Sequence, residues 1–134
     1  MKIDTERCPV DQAIELVGGK WKSLILWRLS AGTLRFGQLQ RVIPQVTQRM
    51  LTLQLRELES AGLVQRTVYP DVPPKVEYAL TGLGRSVVPV LESLGRWVQD
   101  HTSELRAVSA AKAQTHETTP ELISIRSPAS RVRH

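Results

Sequence analysis

Residues 47–80 constrain the fold most, because they join a capped amphipathic helix directly to a pair of short strands. Thr47 is a good helix N-cap and Gly62 is a good C-terminal stop, so the sequence predicts a helix over residues 48–60. The apolar stripe expected on this helix consists of Met50 or Leu51, Leu55 and Leu58. One side of the helix is therefore expected to be buried and the other to face solvent.

A hairpin is predicted immediately after this helix. Apolar and polar residues alternate over residues 64–69 and 75–80, which is typical of strands. The segment PDVPP separates the two strands and is too long for a two-residue turn. The sequence therefore predicts a hairpin with a stiff, proline-rich tip.

Helical patterns also precede the capped helix. Residues 10–17 predict a short amphipathic helix, and residues 20–31 are apolar almost all round, which predicts a central helix that is buried on most sides. A shorter helix is predicted over residues 34–43, where Pro44 ends it, with a brief extended piece at residues 33–35.

A last helix is predicted after the hairpin. Thr81 can cap it, it continues to about His101, and Pro89 inside it predicts a kink or a late start. The chain then loses periodicity and becomes rich in Ala, Ser, Thr and Pro, so residues 107–134 are expected to form a poorly ordered tail. Residues 1–106 of this chain of 134 residues have material for one domain.

The predicted order of elements is helix, helix, turn, capped helix and hairpin, which is the order of a winged helix-turn-helix domain. The expected fold class is therefore mainly α with a small β-hairpin wing. The apolar stripe over residues 83–98, together with Ile14 and Val17, has more hydrophobic surface than one small domain needs. We therefore expect the terminal helices to form a homodimer interface, and two-fold symmetry then predicts DNA half-sites about 10 or about 20 bp apart.

Positive charge is concentrated in one part of the chain. The formal net charge is +5, yet residues 16–56 contain no Asp or Glu and seven Lys or Arg residues. A basic stretch without acidic residues favours an anionic partner, here double-stranded DNA. Aromatic residues make up 4% of the chain, which argues against binding of single strands by base stacking.

The polar face of the capped helix is the predicted reading surface. A helix N-terminus favours phosphate, and in a major groove Arg suits guanine and Gln suits adenine. Gln48, Arg49 and Thr52 are expected to face base edges, while Arg56 is expected to meet the backbone. The remaining residues expected to contact DNA are Thr47, Lys20, Lys22, Arg35, Arg66 and Lys75. The alternative for these side chains is an ordinary solvated surface.

Cys8 is the single cysteine, which excludes an intramolecular disulfide framework and a thiolate zinc site. The adjacent Arg7 and the helix that starts at Pro9 would both stabilise a thiolate, so Cys8 is a candidate redox sensor. The alternative is a small, half-buried residue at a helix start. The three histidines lie at the end of the last helix or in the tail, with no metal-ligand spacing around them, so we expect no metal, no cofactor and no active site.

Four segments together form a specific pattern: CPVDQAIELVGGKW, TQRMLTLQLRELE, YPDVPPKVEYALT and the PVL of the last helix. They resemble the HxlR-type winged-helix transcriptional regulators of bacteria, over about residues 7–101. The resemblance implies a homodimer, joined through its N-terminal and last helices, that binds DNA operators and often regulates a neighbouring gene.

The resemblance also assigns roles within the chain. It implies a recognition helix over residues 47–61 and a wing over residues 64–80, and it matches Cys8 to a cysteine that senses electrophiles or oxidants in some relatives. Gly82 and Gly84 depart from the family pattern, which predicts a frayed start of the last helix.

The sequence thus predicts a homodimeric regulator of transcription that binds a pseudo-palindromic operator, with an oxidant or a small molecule as candidate effector. The alternative function is a winged-helix protein-interaction module without specific DNA binding. An enzyme ranks below both, because no nucleophile, base and orienting group fall together. No apolar run approaches the ~20 residues that span a bilayer, so a soluble cytoplasmic protein is expected.

Overall fold

The computed structural model describes residues 6–118. Within them the elements follow in the order α1 (Pro9–Val17), α2 (Lys22–Leu29), β1 (Leu34–Arg35), α3 (Phe36–Val42), α4 (Gln48–Ser60), β2 (Val64–Tyr69), β3 (Lys75–Leu80), α5 (Gly82–Asp100) and α6 (Thr102–Thr118). The predicted fold class, mainly α with a small β wing, is confirmed.

The sheet is antiparallel and has the strand order β1-β3-β2. The predicted hairpin forms β2 and β3, which pair from Val64 opposite Leu80 to Tyr69 opposite Lys75. The extended piece before α3 becomes β1 and pairs with the other edge of β3, with Arg35 opposite Glu77. The central strand of the sheet is therefore β3.

The hydrophobic core lies between the helices of the first part of the chain, chiefly α2, α3 and α4, and one face of this sheet. Its largest fully buried side chains come from α2, α3, α4 and the residue after α3, and they are Ile25, Leu26, Leu39, Ile43, Leu51, Leu55 and Leu58. Val64, Tyr78 and Leu80 close the core from the sheet. The helix α2 is less enclosed than predicted, because Trp27 is exposed while Ile25 and Leu26 on the other side are buried.

Both ends of α4 follow the predicted caps. The Thr47 Oγ1 accepts a hydrogen bond from the Met50 N–H at 3.1 Å, which satisfies one of the donors that a helix start leaves unpaired. Gly62 follows the helix with φ of 80°, a left-handed conformation that suits glycine. The Leu63 N–H then bonds to the Leu58 carbonyl at 3.0 Å and turns the chain into β2.

The start of α5 is tied to the end of α4. The Thr81 hydroxyl donates to the Gly62 carbonyl at 2.6 Å and accepts from the Gly84 N–H at 3.0 Å. Gly84 is buried, and a Cβ at this position would overlap the Leu63 carbonyl oxygen. Close packing therefore explains this glycine. The helix begins at Gly82 and continues through Pro89, so the predicted late start is wrong.

The chain divides into two compact units, and the division falls within α5 between Ser93 and Leu94. In the second unit the rings of Trp97 and His101 stack with centroids 5.0 Å apart, and the Thr102 hydroxyl donates to the Val98 carbonyl at 2.8 Å. None of the described helices is both long enough and apolar enough to cross a membrane.

The helix α6 corrects the predicted tail. It extends to residue 118, so the prediction of a poorly ordered segment from residue 107 is wrong for residues 107–118, and residues 119–134 lie outside the described part. The segment contains strong helix formers such as Ala, Leu, Arg and Lys, and Glu104 in its first turn suits a helix N-terminus. Its side chains lack an apolar stripe, which is why periodicity did not reveal the helix.

Candidate nucleic-acid interface

The helix α4 exposes the polar side chains that the sequence singled out. Gln48, Arg49 and Arg56 are exposed, and Thr52 is half-buried. The Thr52 hydroxyl donates to the Gln48 carbonyl at 2.9 Å, which uses its proton but leaves its oxygen able to accept a hydrogen bond. The first turn contains no acidic residue, so nothing in it opposes an anion at the positive end of the helix.

These residues line one open depression along α4, which we call the reading surface. It is formed by Thr47, Gln48, Arg49, Met50, Thr52, Leu53 and Arg56. The structure thus brings together all five residues that the sequence assigned to the recognition helix and its cap. The surface offers two guanidinium groups, one amide and two hydroxyls, which are the group types that contact bases and phosphates.

A second groove runs between α4 and the sheet and adds one wing residue to this surface. Arg66 of β2 lines it together with Gln48, Thr52 and Arg56 of α4. Glu59 lines the same groove, and its carboxylate was not expected there. Its position was detectable, because residues 52, 56 and 59 are spaced three and four apart and so lie on one side of a helix.

The two predicted wing contacts lie on opposite faces of the hairpin. Arg66 pairs across the sheet with Tyr78, whose side chain faces the core, whereas Lys75 pairs with Tyr69 on the other face. The Lys75 ammonium is 3.5 Å from a Glu77 carboxylate oxygen and 4.9 Å from the Tyr69 ring centroid. Arg66 therefore joins the α4 groove, and Lys75 does not.

Arg35 belongs to the same face of the sheet as Lys75, because it lies opposite Glu77. Its backbone N–H donates to the Gln38 side-chain oxygen at 2.8 Å, which caps the start of α3, and its side chain is exposed. The structure thus leaves the Arg35 guanidinium at the surface while its backbone holds the turn into α3.

Lys20 and Lys22 lie in different surroundings although they are two residues apart. Lys20 is exposed, with its ammonium 5.1 Å from the centroid of the Trp21 ring. Lys22 has a side chain only 17% exposed, and its ammonium is 2.7 Å from a carboxylate oxygen of Glu57. It lines a crevice at the C-terminal end of α4 with Glu15, Glu57 and Ser60, among others, and is absent from both surfaces described above.

Cys8 is exposed and occupies the N-cap position of α1. Its neighbour Arg7 is 2.7 Å from a Glu15 carboxylate oxygen and 3.2 Å from one of Asp11. The hydrogen bonds that Arg7 donates to Glu15 and to Asp11 raise the pKa of Arg7, and the bond from Arg7 lowers the pKa of Glu15. The cation expected to stabilise a Cys8 thiolate is therefore already bound to two carboxylates.

Among residues 6–118, no group of three or more His, Cys, Asp or Glu side chains lies close enough together to hold a metal ion. The chemistry of the described surface is that of hydrogen-bond donors and positive charge. Such a surface can bind an anionic polymer by direct contacts of side chains to its backbone and bases.

Known proteins resemble this chain in both sequence and structure. The family model described as HxlR-like helix-turn-helix matches residues 16–106. An uncharacterized HTH-type transcriptional regulator from Methanothermobacter thermautotrophicus is 56% identical over 94 residues, which are 70% of this chain and 72% of that protein.

Two solved structures share the fold. The redox regulator HypR in its reduced form superposes with a TM-score of 0.72 at 44% identity, covering 75% of this chain and 99% of that one. The reduced form of the transcriptional regulator YodB from B. subtilis superposes with a TM-score of 0.63 at 36% identity, covering 69% and 91%.

The chain belongs to the HxlR-like helix-turn-helix family. It is a DNA-binding transcription regulator of the winged helix-turn-helix class, with α4 as the helix after the turn and β2 and β3 as the wing. The resemblance recognised in the sequence is thus confirmed.

Proposed function

We propose that this protein is a homodimer that binds a pseudo-palindromic operator through α4 of each protomer. The observation that carries the proposal is the reading surface, where Gln48, Arg49, Thr52 and Arg56 line one open depression that runs along α4 from its Thr47 cap. A helix presented in this way fits a major groove about 12 Å wide.

Within this proposal, Gln48, Arg49 and Thr52 contact base edges, and Arg56 contacts the backbone with Arg66 beside it in the groove. Lys20, Arg35 and Lys75 contact phosphates on either side, because each lies at or near the surface of the same unit. These backbone contacts orient the protein, whereas the base contacts carry sequence preference.

Exposed apolar side chains support dimerisation. In the first unit they include Val10 and Ile14 of α1 and Leu83 of α5, and in the second unit they include Leu94 and Trp97. Apolar surface of this extent on terminal helices favours a two-fold contact. Light scattering at micromolar concentration is expected to give twice the mass of the chain, and a monomer would contradict the proposed geometry.

Selection of duplexes from a random library tests the proposed DNA binding. We expect a recovered consensus with two inverted half-sites about 10 or about 20 bp apart, bound more tightly than random duplex. Affinity for random duplex should fall steeply with salt, because bound Lys and Arg release counterions. An interaction module for an acidic protein would yield no consensus and no such dependence on random DNA.

We further propose that Cys8 makes operator binding sensitive to oxidants. Cys8 is exposed at the start of α1, and the similar HypR is described as a redox regulator. Because Cys8 is the single cysteine, a disulfide would form either between the Cys8 residues of two protomers or between Cys8 and a small thiol. Diamide treatment should change operator affinity in the wild type but not in Cys8→Ser, and unchanged affinity in the wild type would exclude the sensor role.

We also infer that the protein acts in the cytoplasm, because the ligand proposed for it is genomic DNA.

A further inference from the structure

Lys22 is closer to a carboxylate and less exposed than Lys75, the other lysine predicted to contact phosphate that has such a partner: the Lys75 side chain is 37% exposed and its ammonium is 3.5 Å from Glu77. The Lys22 ammonium lies 2.7 Å from the Glu57 carboxylate, and the side chains are 17% and 46% exposed respectively. Lys20 is exposed, and no carboxylate in the described part of the chain lies within 4.0 Å of it. A cation that already has a carboxylate partner must release it to bind phosphate, so Lys22 gains least from DNA.

The Lys22–Glu57 pair joins two helices that meet in the core. Lys22 is the first residue of α2, and Glu57 lies in the C-terminal part of α4. The two helices pack through buried side chains that include Ile25 and Leu55. The ion pair adds a polar contact between the two helices beside this packing.

Rotation of α4 would change the reading surface. Successive residues of an α-helix are about 100° apart, so the direction of Glu57 determines the directions of all other side chains on the same rigid helix. Gln48 and Arg49 lie two to three turns away on this helix. A contact that holds Glu57 in place therefore also holds the angle at which these two side chains face a groove.

We propose that Lys22 is a positioning residue, which holds α4 through Glu57 and sets the angle of the reading surface toward DNA. This inference rests on the proposed function, because it assigns Lys22 a role in specific DNA binding. It differs from the role that the sequence suggested, in which Lys22 contacts phosphate directly.

Two matched carboxylate variants of the full-length chain separate these roles. Glu57→Gln and Glu59→Gln each remove one negative charge from α4. Because Glu59 lines the α4 groove and Glu57 does not, the loss of charge at Glu59 should raise general attraction to DNA at least as much as the loss at Glu57. Binding is measured by fluorescence anisotropy to a labelled duplex recovered from selection and to a random duplex of equal length. Positioning predicts that Glu57→Gln binds the selected duplex about twofold to about hundredfold more weakly, while Glu59→Gln binds both duplexes at least as tightly as the wild type.

The opposite result would overturn the proposal. If Lys22 contacts phosphate, Glu57→Gln releases its ammonium from the carboxylate, and affinity for both duplexes rises. The salt dependence gives a second measure, because loss of one phosphate contact lowers the slope of log K against log salt by about 1. We expect Lys22→Gln to leave that slope unchanged, and a decrease of about 1 contradicts positioning. Lys20→Gln is the control for this measurement, because it removes an exposed lysine that is proposed to contact phosphate.

A charge exchange tests the pair itself. Lys22→Glu should weaken binding to the selected duplex, and the double variant Lys22→Glu with Glu57→Lys should recover most of the affinity, because the ion pair is restored in reverse. A folded double variant that binds no better than Lys22→Glu overturns the proposal. Thermal unfolding checks folding, and where Lys22→Glu is unfolded the comparison of Glu57→Gln with Glu59→Gln decides.

The two levels of the proposal fail in different ways. A wild-type protein that prefers no selected duplex over random DNA overturns the proposed function, and this inference falls with it. A wild-type protein with clear preference, in which Glu57→Gln binds the selected duplex more tightly, overturns the positioning role alone.

Discussion

The N-terminal half of α4 carries Gln48, Arg49 and Thr52 on an open surface, whereas the C-terminal half carries Glu57, which is bound to Lys22. Both halves belong to one helix with one buried stripe, and they differ in where their polar groups are satisfied. In the first half the polar groups face solvent, whereas in the second half Glu57 is paired within the protein and Arg56 and Glu59 remain exposed.

This difference shows how one helix can be both anchored and available for binding. No Asp or Glu occurs between Glu15 and Glu57, so the carboxylates that could bind the arginines of the reading surface are confined to its far end. Lys22 then neutralises the first of them. Some basic side chains, such as Lys22, are therefore paired with carboxylates of the same fold, whereas others, such as Arg49 and Arg56, remain exposed.

The largest expected effect comes from the buried stripe that both halves share. Leu55 is 1% exposed, and Leu55→Ala should lower the free energy of unfolding by about 2–5 kcal/mol, because it leaves a cavity under the middle of the helix. Leu53→Ala on the exposed side of α4 should change it by less than about 0.5 kcal/mol. Urea denaturation measures both, and equal losses would contradict the described burial.

Arg49→Ala and Lys75→Ala test the distinction between side chains proposed to contact bases and side chains proposed to contact phosphates. Arg49→Ala should reduce discrimination at one base pair of each half-site by about 1–3 kcal/mol, because a base contact is lost. Lys75→Ala should weaken all duplexes equally and lower the salt slope by at most about 1, since Glu77 already balances part of its charge. A panel of single-base operator variants measures both effects, and equal losses on specific and random duplex for both variants would remove these roles.

Much of α4 could be predicted from sequence because its determinants are local. Thr47 and Gly62 define its ends, and the helix occupies residues 48–60 as predicted. The hairpin bounds are confirmed for the same reason, since alternation and the proline-rich tip lie within a short segment. The reading surface follows directly, because residues 48, 49, 52 and 56 share one helix.

Features that depend on distant residues were not predictable in this way. The pairing of β1 with β3 joins Leu34 to Tyr78, and the ion pair joins Lys22 to Glu57. A two-residue strand and a surface lysine carry no sequence signal for such partners. Side chains alternate between the two faces of a sheet along each strand. Once the register of β2 and β3 is known, this alternation places Arg66 and Lys75 on opposite faces.

A smaller effect is expected at the cap that starts the reading surface. Thr47→Ala removes the acceptor for the Met50 N–H and should destabilise the protein by about 1 kcal/mol. Thr47→Ser keeps the hydroxyl and should retain most of that stability. Thermal unfolding compares the three proteins, and a Thr47→Ala variant as stable as the wild type would show that the cap contributes nothing measurable.

The smallest effect is expected beside the anchored end of α4, where Glu15 lines the same crevice as Lys22 and Glu57. The hydrogen bond from Arg7 lowers the pKa of Glu15, so the folded state favours the ionised carboxylate. The stabilisation is therefore present above the ordinary pKa of a glutamate and is lost as the pH falls through the lowered value.

Glu15→Gln should accordingly lower Tm slightly at neutral pH. Its difference from the wild type should shrink on acidification, because Glu15 becomes protonated, and in high salt, because both side chains are partly exposed to solvent and their attraction is screened. Arg7→Gln should lower Tm at least as much, because it also removes the pair with Asp11, and adding Glu15→Gln to it should change Tm little further. Thermal unfolding between neutral and acidic pH measures these values. A Tm difference that grows as the pH falls would contradict the expected direction of the pH dependence. A decrease in stability as large as that of Leu55→Ala would show that Glu15 contributes far more than a solvent-exposed ion pair can.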